Sequence, residues 1–294
     1  MLTEETRITP PLQSNEISDE LREKKMHVLN ELRRYGSVLV ALSGGIDSTL
    51  IAFLAKVALG EKALAVTADS SSIPAAELND AKRLANEIGI RHLVIKTSEL
   101  EDPRYLANPM NRCYFCKMEL ADKLSKLAEK LGGYTVIDGT NAEDLKGHRP
   151  GAAALSEKGM RRPLAEAGLT KAEVRTLAKH FGLSNYDKPS MPCLSSRVAY
   201  GEVITPERLL RIERAENLIR SLTDVRELRV RDHGIVARVE VGSNERRLFF
   251  DETLLDNISN ALRGLGFAHV AFDMSGYRSG SMNDSSAAVC DWKQ

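Results

Sequence analysis

Six consecutive residues, Ser43-Gly44-Gly45-Ile46-Asp47-Ser48, carry the groups that bind a phosphate chain. Glycines let backbone N–H groups turn toward an anion because no Cβ stands in the way, and a following helix N-terminus adds positive potential. The hydroxyls of Ser43 and Ser48 can donate to the same phosphate oxygens. Asp47 is a carboxylate beside them and predicts a bridging Mg²⁺ ion. The run therefore predicts a nucleotide phosphate site, and the alternative is a tight strand–helix turn that happens to contain two glycines.

A second set of reactive side chains consists of Cys113 and Cys116, three positions apart, and Cys193, alone in a Pro-rich segment. A Cys-x-x-Cys pair by itself is redox-active, metal-binding or simply packed. No apolar periodicity around Cys193 explains it as a core residue. We therefore predict that these three thiols meet at one site, and that Cys290, near the C-terminus, is incidental.

The donor set of this predicted thiol site indicates which metal it prefers. Three soft thiolates without a fourth protein ligand suit a [4Fe–4S] cluster with one open iron, which can bind a sulfide and deliver it. A structural zinc site has four ligands and needs a histidine such as His148 or His180 to complete it. The sequence favours the cluster and keeps zinc as the alternative.

Three basic residues offer further phosphate contacts. Arg229 and Arg231 alternate along a predicted strand and share one face, where two guanidinium groups can clamp a phosphate. A solvated basic strand is the alternative. Lys117, directly after Cys116, is predicted as an additional contact to the nucleotide phosphates, and its alternative is an exposed helix lysine.

Strands and helices alternate around these residues. Strands are predicted at 37–42, 63–68, 91–96 and 134–138, and helices at 18–34, 49–59, 74–88 and 111–131. This alternation predicts an α/β fold with a doubly wound parallel sheet, in which ligands bind beyond the carboxyl ends of the strands. The Gly-Gly turn, Asp69 and Asp138-Gly139 all follow strands, so we assign them to the nucleotide and pyrophosphate site.

The predicted domain organisation follows from the point at which the alternation of strands and helices stops. Residues 1–17 are polar and predict a loose N-terminal arm, and residues 18–187 form the predicted nucleotide domain. Beyond the loop at 185–201 the order becomes helix, strand, strand, helix, strand. Residues 188–294 therefore predict a smaller α+β domain.

Bulk composition excludes several classes of function. The chain has 294 residues, with 41 acidic and 41 basic ones, so no overall field favours nucleic acid or a membrane surface. No apolar run approaches the roughly 18 residues of a membrane span, and no signal-peptide pattern begins the chain. We expect a cytoplasmic enzyme with reduced cysteines that acts on a small molecule.

The six-residue loop resembles the pyrophosphatase loop, SGGxDS, of enzymes that use ATP, release pyrophosphate and leave an adenylylated substrate. Several segments together resemble the LarE family, the ATP-dependent sulfur transferases of nickel-pincer nucleotide cofactor biosynthesis. These are Ser43-Gly44-Gly45-Ile46-Asp47-Ser48-Thr49-Leu50, Asp138-Gly139, Arg149-Pro150-Gly151, Cys193-Leu194-Ser195-Ser196-Arg197 with Tyr200-Gly201, Arg229-Val230-Arg231 and Arg278-Ser279-Gly280-Ser281-Met282-Asn283-Asp284. The resemblance covers residues 20–285.

This resemblance implies an adenine nucleotide alpha-hydrolase-like fold and a two-step reaction. ATP with Mg²⁺ adenylylates a carboxylate of pyridinium-3,5-biscarboxylic acid mononucleotide, and sulfur then displaces AMP to leave a thiocarboxylate. In the founding type the cysteine at the position of Cys193 gives up its sulfur and becomes dehydroalanine. Cys113 and Cys116 instead match the three-cysteine branch, where a [4Fe–4S] cluster carries the sulfur. The resemblance also implies that Arg197, Arg229 and Arg231 bind the substrate phosphate, and that the chain forms a homo-oligomer such as a hexamer.

Other functions share parts of this pattern. A tRNA-thiolating enzyme can use the same loop and three cysteines, but it needs a basic surface, and this chain is neutral overall. Amidotransferase-type synthetases need a glutaminase segment that is not seen. A non-enzymatic iron–sulfur or zinc carrier regulated by ATP is the third alternative.

Overall fold

The computed structural model describes residues 17–146 and 150–278, which divide into two compact units. The first unit contains the residues up to Ala68 together with Glu77–Ile95 and Ala121–Lys188. The second contains Asp69–Ala76, Lys96–Leu120 and the residues from Pro189 onward. The sequence predicts a single domain boundary, between residues 187 and 188. That prediction places residues 69–76 and 96–120 in the first domain, whereas in the structure they belong to the second unit.

The helices and strands alternate along most of the chain. The helices are α1 (Asp19–Tyr35), α2 (Ile46–Leu59), α3 (Ala75–Ile88), α4 (Pro103–Leu106), α5 (Arg112–Lys130), α6 (Pro150–Glu157), α7 (Pro163–Glu166), α8 (Lys171–His180), α9 (Pro206–Leu222) and α10 (Glu252–Gly264). The strands are β1 (Val38–Ala41), β2 (Ala63–Asp69), β3 (Arg91–Lys96), β4 (Thr135–Ile137), β5 (Leu228–His233), β6 (Val236–Val241) and β7 (His269–Phe272). Short 3-10 helices lie at Gly60–Lys62, Glu99–Glu101, Glu143–Leu145, Leu194–Arg197 and Arg246–Phe249.

Four strands form the sheet of the nucleotide domain, in the order β3-β2-β1-β4. β1 pairs in parallel with β2, from Val38 opposite Ala63, and with β4 on its other side. The side chains of Val38, Leu39 and Val40 are fully buried, as expected for a central parallel strand covered on both faces. The parallel α/β sheet predicted from the sequence is confirmed.

The C-terminal domain is built on a three-stranded mixed sheet in the order β5-β6-β7. β5 and β6 are antiparallel, and β6 and β7 are parallel. Buried side chains of β5 and β6, including Val230 and Val239, share a core with residues of α9 and α10. The smaller C-terminal α+β domain is therefore confirmed as well.

The predicted elements differ from the observed ones mainly in the loops. No helix or strand is predicted between residues 96 and 111, where α4 lies, and α6 and α7 are not predicted either. These are helices of four to eight residues, too short for a periodic apolar pattern. None of the helices within the described residues is long and apolar enough to cross a membrane.

Some sequence predictions fall outside the described residues. They concern the N-terminal arm up to residue 16, His148, Arg149, the segment 279–284 and Cys290. Ile17, the last residue of the predicted arm, is buried in the core of the first unit.

Candidate active site

The turn between β1 and α2 brings backbone groups close together through its glycines. Gly44 has a φ of +78°, and a Cβ there would lie 3.3 Å from the backbone nitrogen of Ala81 and the carbonyl of Glu77. Gly45 is the N-cap of α2 and supplies no side-chain capping bond. The first N–H groups of this helix therefore lack a side-chain acceptor from the cap and point toward the turn, where an anion can accept from them.

The two serines of the loop form one hydroxyl pair. Ser43 Oγ lies 3.0 Å from Ser48 Oγ, and the Ser48 hydroxyl also donates to the carbonyl of Gly45 at 2.9 Å. Ser43 is exposed and Ser48 is buried. The pair therefore presents one hydroxyl at the surface of the turn, held in place by a buried neighbour.

Asn185 stabilises this turn from a distant part of the sequence. Its side-chain amide donates to the Gly44 carbonyl at 3.2 Å and to Thr49 Oγ1 at 3.0 Å. The side chain is 3% exposed, and its Oδ1 has no hydrogen-bond partner within the described structure. The sequence around Asn185 predicts only a loop, and nothing in its local pattern indicates a contact with the Gly-Gly turn.

Asp47 is held by two side chains that follow other elements of the same unit. Lys171 forms an ion pair with Asp47 Oδ2, and Asn141 donates from Nδ2 to Asp47 Oδ1 at 3.1 Å. Asn141 in turn accepts backbone N–H bonds from Glu143 and Asp144 through its own Oδ1, which fixes its amide. The carboxylate predicted to hold Mg²⁺ is thus oriented from both sides, and its contact with Lys171 is not predicted by the sequence.

Asp138 and Gly139 lie directly against the start of α2. A Cβ on Gly139 would be 2.5 Å from the backbone nitrogen of Ser48, so only glycine fits there. Asp138 is buried, and its Oδ1 accepts from the backbone N–H of Thr140 at 2.6 Å. Its Oδ2 has no hydrogen-bond partner in the described structure, and the Nε of Arg162 is 3.8 Å away. This buried oxygen remains available to a cation or a hydroxyl donor.

The remaining residues predicted for the nucleotide site belong to the second unit. Asp69 forms an ion pair with Lys96 at 2.6 Å. Lys117 is half-buried on α5, where its ammonium lowers the pKa of the neighbouring Cys116 thiol against the stronger raising effect of burial. Their assignment to the nucleotide phosphates stays a prediction.

The three predicted cysteines all belong to the second unit. Cys113 and Cys116 lie in the first two turns of α5, and Cys193 precedes the short helix Leu194–Arg197. The charge of Cys193 raises the pKa of both other thiols, so the three side chains interact electrostatically. Cys113 is exposed, whereas Cys116 and Cys193 are half-buried.

Burial dominates the acidity of the helical cysteines. It raises the pKa of Cys116 to about 12, with smaller contributions from Glu99 and the other thiols. Desolvation by the surrounding protein raises the pKa of Cys113 too, although that side chain is exposed at the surface. Within the described ranges, no three His, Cys, Asp or Glu side chains are arranged to hold a metal ion. The raised pKa values keep Cys113 and Cys116 protonated at neutral pH, and metal binding requires their deprotonation.

Arginine side chains fix the backbone around Cys193. The Arg197 guanidinium donates from Nη1 to the carbonyls of Pro192 at 2.5 Å and Cys193 at 3.0 Å. Its Nε and Nη2 donate to Glu216 at 2.8 and 3.2 Å. Burial raises the pKa of Glu216, but Arg197 and its neighbours bring that pKa below its usual value, so the carboxylate is ionised. The Cys193 carbonyl therefore has a fixed position relative to α9.

Arg229 and Arg231 face the same segment of chain. Arg229 donates to the carbonyl of Ser190 at 2.8 Å, and Arg231 donates to that of Ser196 at 2.9 Å. Arg231 also pairs with Glu240 at 2.7 Å, and both arginines are buried. The shared face predicted from their alternation is present, and it packs on the residues flanking Cys193. Phosphate binding by these arginines stays a prediction.

Arg229 differs from Arg231 in its partners. Its guanidinium stacks over the ring of Tyr277 at 4.9 Å, and its Nε has no hydrogen-bond partner in the described structure. Burial lowers its pKa, as does the charge of Arg197. A buried cation with an open donor is a favourable contact for an anionic group.

Tyr105 completes the surroundings of the cysteines. Its hydroxyl lies 2.6 Å from Ser195 Oγ, and the side chain is 1% exposed. Burial raises the pKa of Tyr105 above its usual range, and the charge of Cys193 adds to that shift. Tyr105 therefore stays protonated and anchors the residue two positions after Cys193. The sequence gives no signal for Tyr105, because it lies between the predicted strand at 91–96 and the predicted helix at 111–131.

Comparison with known proteins finds a matching family model and several relatives of this chain. A family model for NAD synthase matches residues 19–105. Over 245 residues the chain is 46% identical to Uncharacterized protein slr1717 of Synechocystis sp., covering 83% of the chain and 91% of that relative. It is 29% identical over 253 residues to Uncharacterized protein MJ0830 of Methanocaldococcus jannaschii, covering 85% and 94%.

A third relative has a named activity. It is the pyridinium-3,5-bisthiocarboxylic acid mononucleotide synthase of Lactiplantibacillus plantarum, 35% identical over 266 residues that cover 90% of this chain and 95% of that protein. The similarity thus extends over nearly the full length of both proteins. The chain therefore belongs to the LarE family of pyrophosphatase-loop proteins.

Proposed function

We propose that this chain is an ATP-dependent sulfur transferase that converts a carboxylate of pyridinium-3,5-biscarboxylic acid mononucleotide into a thiocarboxylate. The observation that carries the proposal is the 35% identity to the Lactiplantibacillus synthase over 90% of the chain. The phosphate-binding features of the β1–α2 turn and the group of three thiols supply the two parts that such a reaction needs.

The first step of the proposed reaction is adenylylation. A substrate carboxylate oxygen attacks the α-phosphorus of ATP, the bond to the β-phosphate oxygen breaks, and pyrophosphate leaves with the electron pair. A free carboxylate is a poor acyl donor, and the mixed anhydride with AMP supplies a leaving group. The open N–H groups of α2 and the Ser43–Ser48 hydroxyls stabilise the charge that develops on the pyrophosphate.

Magnesium fits the oxygen ligands of this turn. Asp47 is a half-buried carboxylate, and the Oδ2 of Asp138 is buried without a hydrogen-bond partner. Carboxylate oxygens, phosphate oxygens and water are the ligands that Mg²⁺ prefers. When bound, the ion neutralises the departing pyrophosphate. Asp47 is the residue we propose to hold it.

The second step is sulfur transfer. A sulfide sulfur attacks the acyl carbon of the adenylate, the bond from that carbon to the phosphate oxygen breaks, and AMP leaves. We propose that Cys113, Cys116 and Cys193 deliver this sulfur and that a [4Fe–4S] cluster is the form in which they hold it. Their soft donor type and their electrostatic interaction support the cluster, although the described residues do not form a ready metal site. The cluster would supply an open iron that binds sulfide.

Substrate binding is the proposed task of the arginines near Cys193. Arg229 carries an open Nε and has backbone carbonyls, a methionine sulfur and an aromatic ring as partners. The Arg229 guanidinium can therefore donate hydrogen bonds to the mononucleotide phosphate without first breaking an ion pair. Arg229→Met should therefore weaken substrate binding by about 1.5–3 kcal/mol, the range for charge-assisted hydrogen bonds, with ATP affinity unchanged. A fall in ATP affinity instead would contradict the substrate assignment.

Formation of AMP and pyrophosphate from ATP tests the proposal directly. We expect both products in equal amounts only when the pyridinium substrate is present, and thiocarboxylate when sulfide is added. Asp47→Ala should abolish pyrophosphate release and leave the fold intact, because a partly exposed loop carboxylate contributes little to stability. Release of pyrophosphate without the pyridinium substrate, or salt-sensitive binding of tRNA, would contradict the proposal.

A further inference from the structure

The side-chain amide of Asn185 can be oriented in only one way. Its nitrogen lies 3.2 Å from the carbonyl oxygen of Gly44 and 3.0 Å from Thr49 Oγ1. The carbonyl can only accept, and the Thr49 hydroxyl donates its single proton to the carbonyl of Gly45 at 2.9 Å, so it also accepts from the asparagine. Both contacts therefore require the NH₂ group. The amide oxygen is left buried and without a hydrogen-bond partner among the described residues.

This amide fixes the direction of the peptide group between Gly44 and Gly45. A trans peptide is planar, and its C=O and N–H point in opposite directions. Because Asn185 binds the Gly44 carbonyl in the protein interior, the N–H of Gly45 points to the other side of the turn. There its nitrogen lies 3.4 Å from the hydroxyl of Ser43, which is exposed. The N–H is therefore presented where a phosphate oxygen can accept from it.

A peptide group between two glycines has a second orientation within reach. A flip exchanges the positions of its C=O and N–H and changes only ψ of Gly44 and φ of Gly45. Gly45 has a φ of −77°, and the flip moves this angle to the positive region, which glycine adopts readily. The flipped peptide directs the Gly44 carbonyl oxygen at the anion and repels it. The turn therefore binds phosphate well only in the orientation that Asn185 stabilises.

The asparagine also brings an unfavourable contribution to this buried position. Its side chain is 3% exposed, and a buried oxygen without a donor is destabilising. A leucine has the same arrangement of side-chain heavy atoms and no such oxygen. The two donors are therefore the feature that explains an asparagine here. Both act on carbonyls of the turn, one directly at Gly44 and the other through the hydroxyl of Thr49.

We propose that Asn185 is a positioning residue of the pyrophosphate site. It holds the Gly44–Gly45 peptide with its N–H toward the ligand and so keeps the turn in the form that binds the β- and γ-phosphates of ATP. Without this bond the two orientations share the population, and the apparent affinity falls in proportion to the fraction that remains competent. The inference rests on the proposed function, because it requires the turn to bind these phosphates.

Binding of inorganic pyrophosphate with Mg²⁺ tests the positioning role without catalysis. Asn185→Leu should weaken this binding by about tenfold, as expected for the loss of one buried hydrogen bond. Its free energy of unfolding in urea should change little, because one unpaired buried acceptor, the amide oxygen, is exchanged for another, the Gly44 carbonyl. Asn185→Asp keeps the shape but places a carboxylate against that carbonyl, and it should weaken binding at least as much.

A second buried asparagine provides the matched control. Asn108 belongs to the second unit, and its side-chain amide donates to the carbonyls of Val198 at 3.3 Å and Ala199 at 2.7 Å. Asn108→Asp therefore removes the same kind of donor from two carbonyls that are not part of the turn. We expect this variant to bind Mg·pyrophosphate like the wild type.

A purely structural role predicts the opposite pattern for Asn185→Leu. The free energy of unfolding would fall while the folded protein keeps wild-type affinity for Mg·pyrophosphate, and this result would overturn the proposal. Asn185→Ala gives the same comparison if the leucine variant does not fold. If the wild type binds Mg·pyrophosphate but forms no AMP with the pyridinium substrate, the proposed reaction fails and the positioning role stands. A wild type that does not bind Mg·pyrophosphate would overturn both.

Discussion

The carboxylate of Glu216 accepts two parallel hydrogen bonds from the guanidinium of Arg197, at 2.8 and 3.2 Å, with exposures of 2% and 0% for the two side chains. The third nitrogen of the same guanidinium binds the carbonyl of Cys193 at 3.0 Å. One buried ion pair thus connects the middle of α9 to the backbone of a predicted sulfur-bearing residue. The position of the Cys193 carbonyl therefore depends on Glu216, which holds the Arg197 guanidinium in place.

Breaking this pair should destabilise the protein strongly. Arg197→Met leaves the Glu216 carboxylate buried without its bidentate partner, a situation that costs about 3–5 kcal/mol. Urea unfolding measures the change in free energy. Asp19→Asn removes an exposed ion pair with Arg22 and should change the free energy of unfolding by less than about 0.5 kcal/mol. Equal effects of the two substitutions would contradict the importance of the buried pair.

Gly139→Ala should disrupt the nucleotide loop by steric contact. The added Cβ would lie 2.5 Å from Ser48 N and 2.7 Å from the carbonyl carbon of Asp47, so the backbone must shift. We expect a loss of about 1–3 kcal/mol in stability together with weaker Mg·ATP binding. Gly264→Ala is the control, because nothing lies within 4 Å of its Cβ position at the end of α10. A stable Gly139→Ala protein with normal nucleotide affinity would show that the turn tolerates the extra methyl group.

The thiol of Cys116 should react slowly with alkylating agents at neutral pH. Its pKa is raised to about 12, and only the thiolate is nucleophilic. The alkylation rate of the Cys116 peptide, followed by mass spectrometry, should rise about tenfold per pH unit between pH 8 and 11. It should level off only above the raised pKa. A plateau near pH 9 would mean that the thiol has its ordinary acidity.

The colour, metal content and turnover of the protein test whether a cluster carries the sulfur. A cluster held by Cys113, Cys116 and Cys193 predicts brown protein from anaerobic purification and repeated turnover with sulfide. Each single Cys→Ala change should then lose the cluster, because two thiolates hold a cubane poorly. Iron, sulfide and zinc assays distinguish it from a zinc site.

The sacrificial route predicts a different result in the same experiment. Only Cys193 would then be required, and it would lose the mass of one H₂S by β-elimination after a single turnover. Quantitative conversion of Cys193 to dehydroalanine in colourless, metal-free protein would contradict the cluster. An unchanged Cys193 after several turnovers would exclude the sacrificial route.

Local sequence patterns predicted the parallel sheet and the Gly-Gly turn because both depend on neighbouring residues. The strand from Val38, the glycines and the helix from Ile46 form one continuous segment, so spacing alone identifies them. The alternation of Arg229 and Arg231 likewise predicted their common face. It could not predict that this face packs on the backbone beside Cys193. Arg229 contacts Ser190, which lies 39 positions away in the sequence, and Arg231 contacts Ser196, which lies 35 positions away.

Two contacts of the candidate site could not be predicted from the sequence, because each joins residues that are far apart along the chain. Lys171 lies 124 positions from Asp47, and its local pattern is that of an ordinary capped helix start. Asn185 lies 141 positions from Gly44. In both cases one side chain from a distant element completes a loop whose own residues were recognised. No periodicity or motif within either segment carries that information.

The interleaving of the two units affects how the chain folds during synthesis. The second unit uses Asp69–Ala76 and Lys96–Leu120, yet its sheet begins only at Leu228. Tyr105 cannot form its hydrogen bond until its partner Ser195, 90 positions further along the chain, has been synthesised. Contacts so distant in sequence form late, and the early segments stay without their partners while the ribosome completes the chain. We therefore expect that a fragment ending at Lys188 exposes Tyr105 and its apolar neighbours, and that it aggregates or requires a chaperone.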